Sequence, residues 1–158
     1  PEAQLDRFIM KLSVGYPSAE DEHEILRRRR ARKTDAFDLQ AVTDAAGLLT
    51  MRQAVEEVHI AEDVERYIVN LIAKTRQNRQ VAVGASPRGT LALLKLTRAW
   101  AAMQGRSYVI PDDVKRFVEP ALIHRLILEP DLWSVRKAAE DVIKEIVNSV
   151  SVPVVNPI

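Results

Sequence analysis

The residues best suited to chemistry are Ser86, Pro87 and Arg88. They lie in Gly84-Ala85-Ser86-Pro87-Arg88-Gly89-Thr90, between a short apolar run (Val81-Ala82-Val83) and a helical pattern from Leu91 to Met103. Ser86 can cap the helix with its hydroxyl, and Pro87 suits the first helical position because its missing N–H would be unpaired there anyway. Arg88 then falls in the first turn, where the partial positive charge of the helix start opposes a cation. A bound anion resolves that conflict, and phosphate is the usual one. Taken alone, the heptapeptide favours a plainer reading, with Arg88 reaching into solvent or pairing with a nearby carboxylate, because short motifs often match by chance.

Gly84 and Gly89 also carry the spacing of the phosphate loop G-x-x-x-x-G-K-[ST], but Thr90 and Leu91 follow where that loop needs a lysine and a hydroxyl. It is not such a loop. The pass along the chain gives no nucleophile elbow, no defensible pair of carboxylates and no metal-ligand spacing; His23, His59 and His124 stand apart, and there is no cysteine. His124 reads as a satisfied, partly buried histidine rather than a catalyst.

The elements that must position Arg88 are mostly helical. Hydrophobic residues make up 47% and charged residues 28%, values of a globular protein, and the net charge of +1 gives no general case for nucleic acid or an anionic membrane. No apolar run approaches a membrane span, and the absence of cysteine fits a cytoplasmic home. The chain begins Pro1-Glu2 without a Met, which reads as a piece of something longer.

Phe8 to Val14 reads as one strand, closed by Gly15-Tyr16-Pro17, and a lone strand suggests a neighbouring α/β domain. Ser18 opens a helix that is acidic at its start and basic at its end (Arg27 to Lys33), as the helix dipole favours. Residues 34–49 read as a long connection, and Thr50 starts a helix to about Val58. Glu62 to Gln77 carries a clean stripe of Val64, Ile68, Leu71 and Ile72. Pro87 to Gln104 is so broadly apolar that it reads as the central, most buried helix, with Trp100 and Met103 in the core and Gly105 ending it. Pro111 opens another helix, which Pro120 should break or kink before Ala121 to Leu128 continue. A final helix starts at Asp131 or Ser134 and runs to about Asn148, followed by an extended tail.

Two segments in order carry a resemblance. Pro1-Glu2-Ala3-Gln4-Leu5-Asp6-Arg7-Phe8 with Gly15-Tyr16-Pro17, then Gly84-Ala85-Ser86-Pro87-Arg88-Gly89 before a helix, closely resemble the MoxR family of AAA+ ATPases. Ile110-Pro111-Asp112-Asp113-Val114-Lys115 and Leu122-Ile123-His124-Arg125-Leu126 are similar to later helices of that family's lid, so the likeness covers most of residues 1–128.

The resemblance implies an all-α fold, a helical bundle (the AAA+ lid), with one N-terminal strand left from an α/β core. Residues 1–17 would end the core and form the hinge, and residues 18–158 would be the lid with its tail. Arg7 would be the arginine finger, acting in trans on the γ-phosphate held by the next subunit. Arg88 would be the sensor-2 arginine, touching the γ-phosphate within its own subunit. Tyr16 and Pro17 would sit at the hinge near the adenine. The implied cofactor is ATP with Mg2+ in the intact protein, with no tight binding to this chain alone, since the phosphate loop and the magnesium-holding motif would lie before Pro1. No metal ligand is assigned here. Implied partners are the ATPase core of the same protein, a homo-oligomeric ring (a hexamer), and clients bearing von Willebrand A domains in chaperone-like maturation.

Two other classes stay open. A helical protein-interaction module would make Arg7 and Arg88 ordinary surface charges. A nucleic-acid binder would use Arg27 to Lys33, although no aromatic is interleaved there for stacking.

Overall fold

A computed structural model describes residues 2–135 and 137–154. They fall into two compact units, Leu12–Thr50 and the remainder, which consists of the described residues up to Lys11 and from Met51 onward.

The larger unit holds the helical bundle. It opens with one turn of helix, α1 (Glu2–Leu5). In the smaller unit, α2 (Ala19–Arg32) is capped by Ser18, whose hydroxyl accepts from the Asp21 N–H while the Asp21 carboxylate takes the Ser18 N–H. No residue of α2 is buried. α3 (Ala45–Glu56) starts five residues before the Thr50 predicted from sequence, because the Asp44 carboxylate accepts the Gly47 N–H at 2.8 Å and caps it earlier.

α4 (Glu62–Gln77) buries Val64, Tyr67, Ile68, Leu71, Ile72 and Thr75, none more than 2% exposed. It is followed by β1 (Val81–Val83), α5 (Pro87–Met103), α6 (Pro111–Leu122) and β2 (Ile127–Leu128). A short 3-10 turn (Pro130–Leu132) precedes α7 (Ala138–Ser149). The core is the apolar side of α4 against Leu93 and Ala101 of α5, Val114, Val118 and Leu122 of α6, and Val142, Ile143 and Ile146 of α7. The extended stretch at Val58–Ile60 is closed by His59, whose N–H and C=O bond to Ser107 and Val109.

The helical lid-type bundle read from sequence stands, with four further local corrections. Phe8 to Val14 forms no strand. A strand needs a ladder partner, and here the segment bonds to helix and side chain instead: the Lys11 N–H donates to the Pro120 carbonyl at 2.8 Å. The strand that accompanies the bundle is the antiparallel pair of β1 and β2.

The most buried helix is α4 rather than α5. Met103 is 75% exposed and Leu91 54% exposed, while Trp100 is only partly buried, edge-on to Phe117 at 5.9 Å.

α6 passes through Pro120 without breaking, since the proline sits in the last turn and only one carbonyl loses its helical donor. It then stops at Leu122, and residues 127–128 are strand. The last helix starts at Ala138, because Lys137 before it takes a left-handed backbone (φ 64°) that no helix can pass through.

Candidate functional site

The start of α5 is bolted to the end of α4. Thr75, fully buried, accepts the Ala85 N–H at 3.0 Å and donates to the Ile72 carbonyl at 2.7 Å. Arg76 Nε donates to the Ala85 carbonyl at 2.9 Å. The two glycines that mimic a phosphate loop have a packing role. A Cβ on Gly84 would lie 2.8 Å from the Arg76 backbone N, and one on Gly89 would lie 3.1 Å from Leu122 Cδ2. This close approach fixes where Ser86, Pro87 and Arg88 emerge.

Ser86 caps α5 as predicted, its Oγ accepting the Arg88 N–H at 3.2 Å. The same hydroxyl donates to the Asp6 carboxylate, 2.9 Å from Oδ2. The first-turn amides are therefore occupied: Pro87 has none, Arg88 is capped, and the Gly89 N–H bonds to the Ser86 carbonyl at 2.9 Å. The anion that the helix start favours is the Asp6 carboxylate of this chain. Of the two readings open in the heptapeptide, a nearby carboxylate and an outside anion, the structure supplies the carboxylate at the helix start.

Arg88 is neither buried nor tied down. Its side chain is 54% exposed and its Nε is 3.9 Å from Asp6 Oδ2, outside hydrogen-bond range. Asp6, Arg7, Ile9, Arg88, Leu91, Ala92, Lys95 and Arg125 line an open cleft of about 240 Å³. Arg7 and Arg88, far apart in the sequence, thus share one cleft, with exposed Lys95 two turns along α5. Tyr16 and Pro17 lie in the smaller unit; Tyr16 is 99% exposed.

Sequence reasoning gave no role to Arg125 or Asp6. The Arg125 side chain is 2% exposed, and its Nε donates to Asp6 Oδ1 at 3.1 Å. Burial pushes this guanidinium below its ordinary pKa, with Asp6 acting in the opposite direction. The one signal available was an arginine inside the apolar run Leu122 to Leu128. His124 is partly buried, with Nε2 2.9 Å from the Phe8 carbonyl oxygen and 2.9 Å from Arg125 Nη1.

Most of the arginine run of α2 is engaged within its own unit. Glu24 takes Arg27 at 2.6 Å and Arg28 at 2.7 Å, Arg29 pairs with Asp35, and Arg32 lies 3.7 Å from the centre of the Phe37 ring. Among the described residues, no group of three or more His, Asp or Glu could hold a metal ion. No described helix is long and apolar enough to cross a membrane.

The bundle and its capped α5 define a class: residues 73–146 match the AAA lid domain family. More narrowly, the chain belongs to the MoxR family of AAA+ proteins. It is 35% identical to Chaperone MoxR1 of Mycobacterium tuberculosis over 100% of this chain and 44% of that protein. It is 38% identical to YeaC of Bacillus subtilis, over 98% of this chain and 48% of YeaC. The 2.00 Å crystal structure of a candidate ATPase from Cytophaga hutchinsonii superposes with a TM-score of 0.88 at 30% identity, over 97% of this chain and 49% of that one. The chain spans about half the length of the relatives it matches. The likeness also runs past residue 128, where the motifs visible in the sequence stopped.

Proposed function

We propose that this chain is the nucleotide-responsive lid of a MoxR-type AAA+ ATPase. Arg88 contacts the γ-phosphate of ATP bound in its own subunit, and Arg7 reaches the γ-phosphate bound in the next subunit of a ring. One observation carries the reading: Arg88 stands exposed in the first turn of α5 and is held too loosely by Asp6, at 3.9 Å, to be a structural ion pair, so its guanidinium is available to a phosphate.

The residues present suit a polyphosphate. Arg88 and Lys95 offer cationic donors to the chain's own nucleotide, Arg7 is exposed and available to the neighbour's, and the cleft's carboxylate, Asp6, is already bonded to Ser86 and Arg125. Because the amides of the helix start are occupied, side chains rather than backbone would hold the phosphate. ATP with Mg2+ supplies the phosphoryl group whose transfer to water drives the cycle. Arg88 would sense that group and move the lid; Arg7 would stabilise the charge developing during transfer.

Tyr16 and Pro17 would form the hinge near the adenine. The intact protein would work as a cytoplasmic hexamer in chaperone-like maturation of partner proteins, including ones with von Willebrand A domains. A relative named as a chaperone supports that direction. The chain alone would bind nucleotide negligibly. Steady-state ATP hydrolysis by the intact protein, with Arg7→Ala and Arg88→Ala variants, tests the reading; unchanged rates in both would overturn it.

A further inference from the structure

Arg125 is a buried guanidinium with an acceptor for each of its five N–H groups. Nε donates to Asp6 Oδ1 at 3.1 Å, and Nη2 donates to the Asp6 carbonyl at 3.1 Å and the Phe8 carbonyl at 2.7 Å. Nη1 donates to the Ile9 carbonyl at 3.2 Å and to the Ala121 carbonyl on α6. The acceptors of the N-terminal segment belong to residues 6, 8 and 9, so they bracket Arg7 on both sides. Asp6 continues the chain of contacts to Ser86, two residues before Arg88.

We propose that Arg125 is a positioning residue for Arg7: it clamps the turn that carries Arg7 onto α6 and the start of α5, and so fixes the finger's pivot. This rests on the finger role given to Arg7 above. A planar fork of five donors is what the clamp needs; a lysine has three donors on one nitrogen and cannot span the same carbonyls. Arg7 itself is exposed, so its reach is set by how firmly its backbone is held. A displacement of about 1 Å at such a group can cost on the order of 10²-fold in rate.

The test is a set of double variants in the intact protein, read as kcat and KM for ATP. Arg125→Met should lower kcat on the order of 10²-fold with KM unchanged. In an Arg7→Ala background it should lower kcat no further, while in an Arg88→Ala background it should still lower it. Residues that act through one another are non-additive in this way, whereas general loosening of the fold multiplies in both backgrounds. Full additional loss on top of Arg7→Ala, or no loss in the parent protein, overturns the proposal. If Arg7→Ala alone leaves kcat unchanged, the finger assignment itself fails and the proposal falls with it, a result distinct from the previous two. Should Arg125→Met not fold, Arg125→Lys keeps the charge and answers the same question: a smaller kcat loss with the same non-additivity supports the clamp, and additivity overturns it.

Discussion

Asp6 and Arg125 meet at 3.1 Å although 119 residues separate them in the chain. Through this pair the segment before the smaller unit is tied to the end of the bundle's third long helix, beside the start of α5. The Asp6 carboxylate serves Arg125, Ser86 and, at 3.9 Å, Arg88. A negative charge placed there satisfies a buried cation and the positive end of a helix together.

The kinetic consequence for the two cleft arginines is asymmetric. Loss of an arginine finger costs on the order of 10³-fold or more in kcat, so with Arg7 in the finger role proposed above, Arg7→Ala in the intact protein should nearly abolish turnover while leaving ATP affinity almost intact. Arg88→Ala should change KM as well as kcat, since the phosphate contact proposed for it would form before transfer begins. Steady-state kinetics separates the two patterns.

The glycines should differ in tolerance. Gly84→Ala puts a methyl 2.8 Å from the Arg76 backbone, which cannot move without shifting α4. The expected cost is about 1–3 kcal/mol. Gly89→Ala meets only the side-chain ends of Leu122 at 3.1 Å and Ile72 at 3.2 Å, and alanine's helix preference of about 1 kcal/mol offsets part of the crowding. Thermal unfolding of both variants should rank Gly84→Ala as the more damaging.

Asp113 is 4% exposed, grips Arg106 at 2.9 and 2.6 Å, and accepts the Ile110 N–H at 2.9 Å, capping α6 where Ile110 has no side chain able to do so. Asp113→Ala removes both jobs. Breaking a buried pair costs about 3–5 kcal/mol; Arg106 keeps 23% exposure and can rehydrate, so the lower end applies. Chemical denaturation of the variant measures it.

If the arginines of α2 read nucleic acid, binding to duplex DNA would weaken steeply with salt. With Arg27, Arg28 and Arg29 held by Glu24 and Asp35, no salt-dependent binding should be detected by fluorescence anisotropy. Tight binding at low ionic strength that is lost in Arg27→Ala would revive that alternative.

Much of the bundle was legible locally. Ser18 and Ser86 announced their helices through capping, and the stripe Val64, Ile68, Leu71, Ile72 marked a buried face. Such signals lie within one or two turns of chain, where spacing alone fixes geometry. Phe8 to Val14 misled because an apolar run makes a strand only where a ladder partner meets it, and here Phe8, Ile9, Leu12 and Val14 stay exposed. Met103 misled because periodicity reports which residues share a face, not which face is covered.

The candidate site divides the same way. Sequence by itself determined that Arg88 begins a helix behind a serine cap and a proline, and that Arg7 sits in a motif resembling a finger, because those features need only neighbouring residues. Only tertiary structure decided that the two share a cleft, that Asp6 rather than an outside anion neutralises the helix start, and that Arg125 is buried around the Arg7 turn. Contacts across 119 residues depend on how helices pack, and no local spacing encodes that.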